Sequence, residues 1–384
     1  MAVGTKEAKR SKSEEHETIF KAYSLGIKTS RDFIVYDFDG GRLMGKVRKF
    51  CEDYNAELFR VAQKGNVENI DKEVRYDKIK WSRNLKRDLQ NAKRLTFDEA
   101  RVRVGMYRPF TPKFLYFSDV IVDELGQNQG FLPDEQSEQE NLLLCVGGYG
   151  RKVFAVFVTK HIPDLNFFAD PQQSFPFYTY DEDGSNRREN VTDWALAQFR
   201  ERYGDEKISK WDIFHYVYAL LHHPEYRERY AANLKRELPR VPFAPDFRAF
   251  AAAGARLAEI HVNYERQPEY PLERVEHTDA PLDWRVERMR LSKDRTQIVY
   301  NNFLTLSGVP PEVYEYRLGN RSALEWVIDQ YQLTTDRRSG ITNDPNRPED
   351  PQYILRLVAQ VVNVSLETVK LVRELPELGL QTEG

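Results

Sequence analysis

The chain has 384 residues, 41% hydrophobic, 12% aromatic and 30% charged, with a formal net charge of -3 at pH 7, a balance that excludes a wholly disordered polypeptide. A mean hydropathy of -0.66 and the lack of any apolar run of about 18 residues exclude a membrane-spanning helix. Two cysteines, Cys51 and Cys145, are too few for a disulfide framework or a four-thiolate zinc site, and the polar start MAVGTKEAKRSKSEEHE lacks the apolar stretch of an export signal, so a cytoplasmic setting is expected.

Residues 1–18 are charged and poor in apolar side chains, which predicts a disordered tail. Residues 1–115 hold 26 Lys or Arg against 17 Asp or Glu, a balance of +9, while the remaining 269 residues carry -12. A basic amino-terminal third favours contact with a polyanion such as nucleic acid. Within residues 19–115, a basic α/β region, Gly26 and the polar run Lys28 to Asp32 predict a turn leading into a strand at Phe33 to Phe38. Helices are predicted at Leu43 to Phe50 and Trp81 to Leu95. The basic run from Lys78 to Arg94 surrounds Trp81 and contains one acid, Asp88; it suits either a solvated helix face or a polyanion contact. In the strand-like RVRVGMYRPF that follows, Arg101, Arg103 and Arg108 accompany Tyr107.

Residues 116–190 read as a β-rich part, with strands in FLYF from Phe114, LLLCV from Leu142, VFAVFVT from Val153 and FPFYTY from Phe175. The period becomes helical in residues 191–384. Ser209 and Asp212 have capping-box spacing before the stripe Phe214, Val217, Tyr218 and Leu221, and Pro224 suits the first turn of the next helix. A further helix is predicted over Asp246 to Val262, then a strand at Gln297 to Leu306, a helix capped by Ser322 and Glu325, and a final helical pair from about Pro351 to Leu375. The expected fold class is α+β: a mixed, sheet-containing amino-terminal and middle part followed by a mainly helical part.

Catalytic chemistry finds little support. Gly147, Gly148 and Gly150 follow an apolar run, as in a cofactor-binding loop, but β-branched and aromatic residues come next, so a hairpin turn is expected where a phosphate-binding helix would be needed. His222 and His223 diverge on a helix and have no third metal ligand nearby. Asp164, Asp205 and Lys207 only loosely imitate a nuclease centre. A nucleophile elbow, a phosphate loop and a CxxC pair are absent. Hence no catalytic residue, metal ligand or cofactor-binding residue is assigned. Two clusters suit binding. Arg317, Asn320 and Arg321 precede a capped helix, and the loop TTDRRSGITNDPNRPED is rich in Arg and Asn, which can donate to base edges or fold on themselves through Asx turns.

The succession SLGIKTSRDFIVYDF, RVGMYRPFTPKFLYF, WDIFHYVYALLHHPEYRERYAANLKRELPRVPF, AGARLAEIHVNYE, YRLGNRSALEWVIDQYQ and DRRSGITNDPN closely resembles the carboxyl-terminal specificity region of Type ISP restriction-modification enzymes and related adenine-specific DNA methyltransferase fusions, from about Ile19 to Leu375. Members of that bacterial phage-defence family join a nuclease, a helicase and an adenine-N6 methyltransferase to a target-recognition region. The resemblance implies that the KTSRD block adjoins the methyltransferase core and that the chain reads double-stranded DNA. S-adenosylmethionine and ATP with magnesium are then expected on partner domains or subunits. The only Pro-Pro, Pro310 and Pro311, lies between Val309 and Glu312 and is not the motif that holds a flipped adenine. The chain thus reads as a recognition part alone, a split subunit or the remnant of a longer gene, without activity of its own.

From residue chemistry, Lys28, Arg31, Arg101, Arg103, Arg108 and Lys113 are expected on the DNA backbone, and Arg317, Arg321, Arg337, Arg338, Asn343 and Asn346 on bases or phosphates. Two other classes remain open: part of a split or degenerate S-adenosylmethionine-dependent adenine DNA methyltransferase using Gly147 to Gly150, and a protein coupler with no DNA specificity.

Overall fold

Three four-stranded sheets and seven helices of eight or more residues organise the described residues of this computed structural model, which are 1–7, 17–65, 69–148, 153–337 and 339–379. In the amino-terminal region, β2 (Tyr36–Asp37), β4 (Thr111–Tyr116), β3 (Val102–Arg108) and β7 (Ile162–Pro163) form one sheet in that order. Helix α1 (Gly40–Ala62) and helix α2 (Arg83–Gln90) complete its core. Asp39 caps α1 by accepting from the Arg42 amide at 2.6 Å. Leu43, Val47, Phe50, Cys51, Tyr54 and Val61 recur on its buried stripe.

The central sheet explains how the regions join. Its order is β1 (Ser24–Leu25), β8 (Gln173–Pro176), β5 (Leu143–Gly147) and β6 (Ala155–Thr159), all antiparallel. Side chains alternate between strand faces. Leu144, Val146, Val156 and Val158 therefore enter one core, shared with helices α3 (Asp193–Tyr203), α4 (Lys210–Leu220) and α5 (Phe247–Val262). Cys145, Ala155 and Phe157 enter another, shared with helices α6 (Ala323–Gln330) and α7 (Tyr353–Arg373). A sheet buried on both faces is why LLLCV and VFAVFVT are apolar without alternation. Helices α4 and α5 pack so closely that a Cβ on Gly254 would lie 1.9 Å from the His215 carbonyl oxygen.

The carboxyl-terminal core is closed by the sheet β11 (Glu273–Glu276), β14 (Leu304–Ser307), β13 (Gln297–Val299) and β12 (Arg290–Leu291). Three two-stranded hairpins complete the architecture: β9 (Tyr178–Thr179) with β10 (Arg188–Glu189), β15 (Arg317–Leu318) with β16 (Arg321–Ser322), and β17 (Thr334–Thr335) with β18 (Thr342–Asn343). No helix among the described residues is long and apolar enough to cross a membrane.

This is the α+β arrangement expected, with capping boxes at Ser209/Asp212 and Ser322/Glu325 and an antiparallel β5–β6 pair at the glycine cluster. Gly148 has φ +95°, and Gly150 lies outside the described residues. Several expectations are corrected. The tail predicted over 1–18 is corrected at its start, where the Met1 amino group donates to Val241 O at 2.6 Å, Val3 N to Pro239 O at 3.1 Å, and Val3 is buried; residues 8–16 lie outside the described residues. Residues Asp32–Val35 form a helical turn ahead of the short β2, because the Ile34 and Val35 amides both bond Arg31 O. The strand expected over Gln297 to Leu306 is a hairpin, turned by Asn301 Oδ1 accepting from the Phe303 and Leu304 amides at 2.9 and 2.8 Å. The final helical pair is the single helix α7, whose Ser365 and Thr368 hydroxyls bond carbonyls four residues back, at 2.7 Å each.

Candidate nucleic-acid interface

The polar run after Gly26 folds as a turn pinned from two sides. Ile27 N donates to Pro163 O at 3.0 Å, Leu165 N to Ile27 O at 2.8 Å, and Lys28 exchanges backbone bonds with Glu124 at 2.8 and 3.0 Å. The approach to β7 requires glycine at 26, since a Cβ there would lie 2.3 Å from Asp164 O. Thr29 Oγ1 donates to Asp32, and Ser30, at φ +58°, donates to Asp123 at 3.0 Å. Tyr107 donates its hydroxyl to Asp32 at 3.0 Å, and Arg108 pairs with Asp164 at 2.8 Å.

This turn forms one wall of a cavity of about 480 Å³, together with Lys80 and Asp164 to Asn166. The opposite wall comes from the far end of the chain: Asp336 and Ser339, at the tip of the β17–β18 hairpin. Ser339 shapes that tip by donating its amide and hydroxyl to Asp336 Oδ2 at 2.8 and 2.6 Å. Arg337 is exposed on the same tip; Arg338 lies outside the described residues. Beside the cavity, Ser82 caps α2 and Asn84 donates to Asp123 O at 2.6 Å, fixing the helix against the turn. Lys80, Arg83 and Arg87 are exposed there, and none has an acidic partner within ion-pair distance among the described residues.

Of the residues expected on the DNA backbone, Lys28 lines the cavity, with its ammonium 3.2 Å from Asp123 and 2.9 Å from Glu124, which raise its pKa. Arg101 is exposed beside Asp98 and Asp119, at 3.6 and 3.4 Å. The other four are corrected to internal roles. Arg31 is buried, donating to Ile121 O, to Ser82 Oγ at 2.9 Å and to Lys80 O at 3.4 Å. Burial lowers its pKa to about 10, so it remains charged at neutral pH. Arg103 is buried against Glu138 and donates to Pro133 O at 3.0 Å. Arg108 is committed to Asp164, whose carboxyl is nevertheless pushed up to about 6 by burial. Lys113 is buried between the rings of Phe38 and Tyr107, 4.4 and 4.2 Å from their centres. Burial, with Arg108 nearby, lowers its pKa to about 7.

The weaker candidates divide similarly. Arg337 and Asn343 belong to the hairpin bordering the cavity. Asn346 is internal, bonding Val286 N at 2.7 Å and Val286 O at 2.8 Å. Arg317 donates to Asn320 O, while Arg321 lies 3.7 Å from Asp329 and over Trp326; neither lines the cavity. The site assignments drawn from the sequence omitted Lys80, Arg83 and Arg87, although all three stand in the basic run around Trp81. The usable signal was Ser82 as a helix cap, which puts Arg83 and Arg87 on one exposed face at i and i+4.

The sequence matches the Type ISP C-terminal specificity domain over residues 18–357. Similar solved structures include a nuclease-deletion mutant of the Type ISP restriction-modification enzyme LlaGI in complex with a DNA substrate mimic, at 34% identity and TM-score 0.85, covering 96% of this chain and 34% of that one. A DrdV–DNA complex has 33% identity and TM-score 0.89, with 99% and 38% covered. The ATP-dependent Type ISP restriction-modification enzyme LlaBIII bound to DNA has 30% identity and TM-score 0.86, with 99% and 24% covered. The chain thus spans between about a quarter and two fifths of the length of these proteins. Comparison with curated proteins gives no match. With the family match running from the start of the pinned turn's region into α7, and the same fold in three relatives at 30% identity or more, the chain belongs to the Type ISP C-terminal specificity domain family.

Proposed function

We propose that this chain is the module that reads the DNA target of a restriction-modification enzyme, directing an adenine-N6 methyltransferase and a helicase-nuclease in the cytoplasm. The observation carrying this reading is the cleft lined by the Lys28 turn and Lys80, just ahead of α2 with its exposed Arg83 and Arg87, and by Asp336 and Ser339 of the hairpin that also carries Arg337 and Asn343. Lys80, Arg83 and Arg87 would hold phosphates, which fixes register without reading sequence; Arg337 and Asn343 would meet base edges, where arginine suits guanine and asparagine suits adenine. The DNA of the DrdV and LlaBIII complexes, and the DNA substrate mimic of the LlaGI complex, support DNA as the partner.

S-adenosylmethionine and ATP with magnesium belong, on this reading, to the partner parts. Gly147 ends β5, which pairs antiparallel with β6, and among the described residues between the two strands there is no helix, which supports this reading. No cofactor step is assigned to this chain. Binding to a random-sequence duplex pool at two salt concentrations, followed by sequencing of the bound fraction, tests the reading. Binding that weakens with salt and enriches a sequence is expected. Absence of binding at low salt overturns DNA as the partner; binding without enrichment overturns target reading.

A further inference from the structure

We propose that Arg42 is a positioning residue that sets the β17–β18 hairpin over the cleft, and so governs which DNA sequence is preferred more than how tightly duplex of any sequence is held. The inference rests on the target-reading function proposed above and names a determinant of its specificity.

Arg42 lies in the first turn of α1, 302 residues from the segment it touches. One side of its guanidinium is fixed by a buried acid: Nε donates to Asp37 Oδ1 at 3.1 Å, and Asp37 is fully enclosed. Asp37 is itself held by the Asp39 amide at 3.0 Å and by Lys46, whose ammonium lies 2.7 Å from its other oxygen. The other side of the guanidinium reaches across the molecule, with Nη2 donating to Asp344 O at 2.7 Å. Asp344 directly follows Asn343, the last residue of β18, and precedes Pro345, which restricts the backbone of residue 344 to extended conformations. The carbonyl that Arg42 grips is therefore coupled to the hairpin through a stiff joint.

The Asp344 side chain strengthens that joint. Its Oδ2 accepts from Arg285 at 2.9 Å, and its Oδ1 accepts from the Asn346 amide at 3.0 Å. On the other arm of the hairpin, Leu333 N donates to Glu287 O at 3.0 Å, an anchor within the carboxyl-terminal region. Arg42 ties the β18 end of the hairpin to α1 and the amino-terminal sheet, to which the turn of the opposite wall belongs, while ahead of the other arm Tyr331 donates its hydroxyl to Phe110 O at 3.3 Å. A planar guanidinium can serve Asp37 and Asp344 O together, whereas a lysine ammonium at the end of a flexible stem lacks that fixed fork.

The test uses the full chain with Arg42→Ala and Arg42→Lys, read in three ways: the affinity ratio between the preferred duplex and random duplex, the affinity for random duplex across salt, and hydrogen exchange at the Gly340 amide, which bonds Asp336 O at 2.8 Å. Arg42→Ala is expected to lower the ratio tenfold or more, change random-duplex affinity less than about threefold, and quicken exchange at Gly340 while α1 stays protected. If Arg42→Ala does not fold, Arg42→Lys, which keeps the charge, carries the test with a loss of at least threefold in the ratio. An unchanged ratio in a folded variant overturns the proposal. So does an equal fall in both affinities, which would make Arg42 a phosphate contact. Wild-type binding without any preferred sequence would instead sink the target-reading function itself.

Discussion

Arg108, largely shielded from solvent, pairs at 2.8 Å with the buried Asp164, which lines the cleft together with the Lys28 turn. Removing the cation leaves a carboxylate enclosed without its partner. Arg108→Ala is therefore expected to cost about 3–5 kcal/mol of stability at pH 7, measured by urea denaturation. The pH dependence has a definite sign. The Asp164 carboxyl is raised from its ordinary range to about 6, so its protonated form favours the folded state. That contribution is fully present below about pH 4 and is lost as pH rises to 6. Carbon NMR of Asp164 should find its titration midpoint near 6.

Lys113 behaves in the opposite way. Its folded-state pKa, about 7, lies below the ordinary lysine value, so between about pH 7 and 10 the unfolded chain binds the extra proton. Stability should rise with pH across that window by up to about 1.4 kcal/mol per pH unit from this group. Lys113→Met should raise the thermal midpoint at pH 7 and flatten this rise. A variant less stable than wild type at pH 7 would mean that the ammonium is well accommodated.

Gly26→Ala introduces a Cβ into the backbone of Asp164, 2.3 Å from its carbonyl oxygen and 2.5 Å from its carbonyl carbon. Backbone cannot yield as a flexible side chain can, so a loss of about 1–3 kcal/mol or more is expected. Because the displaced β7 leads into the cavity wall at Asp164 to Asn166, duplex affinity should fall alongside stability. Wild-type affinity in a destabilised variant would uncouple the turn from the DNA site.

Charge reversal separates the exposed arginines from the buried one. Arg83→Glu with Arg87→Glu should weaken binding to every duplex, reduce the salt slope by about 2 and leave the thermal midpoint nearly unchanged. Arg103→Glu should instead unfold the chain, since Arg103 is enclosed with Glu138. Gel-shift titration across salt, paired with thermal denaturation, distinguishes the two outcomes.

Arg337→Ala should relax preference at one or two positions of the target while sparing random-duplex affinity. A loss of roughly 1–3 kcal/mol in discrimination is the scale of one bidentate base contact. Sequencing of the bound pool checks this directly, and an unaltered preference would remove Arg337 from base reading.

Local signals were legible where their causes were local. Ser209 with Asp212 and Ser322 with Glu325 announced helix starts, because a capping box completes itself within four residues. The basic character of Arg31, Arg103, Arg108 and Lys113 was equally plain, but their destinations were not. An arginine beside aromatics on a strand reads alike whether it meets a phosphate or an acid such as Glu138, 35 residues away. Helix α7 is one helix where a pair was expected, and the hydroxyls of Ser365 and Thr368, polar residues within its apolar pattern, are turned back onto carbonyls of the same helix, a contact that only the structure shows. The cleft itself depends on tertiary placement, and nothing near Lys28 in the sequence points to Ser339.

The distance along the chain between the two cleft walls also sets a schedule. Residues 28–34 leave the ribosome about 300 residues before the hairpin tip at Asp336 and Ser339. At about 5–20 residues per second, roughly 15–60 s separate the synthesis of one wall from that of the other. Throughout that interval a nascent chain presents its basic third without the opposing hairpin. Nascent chains stalled before Asp336 should accordingly hold duplex DNA without choosing among sequences, with discrimination arriving only once the β17–β18 hairpin has emerged.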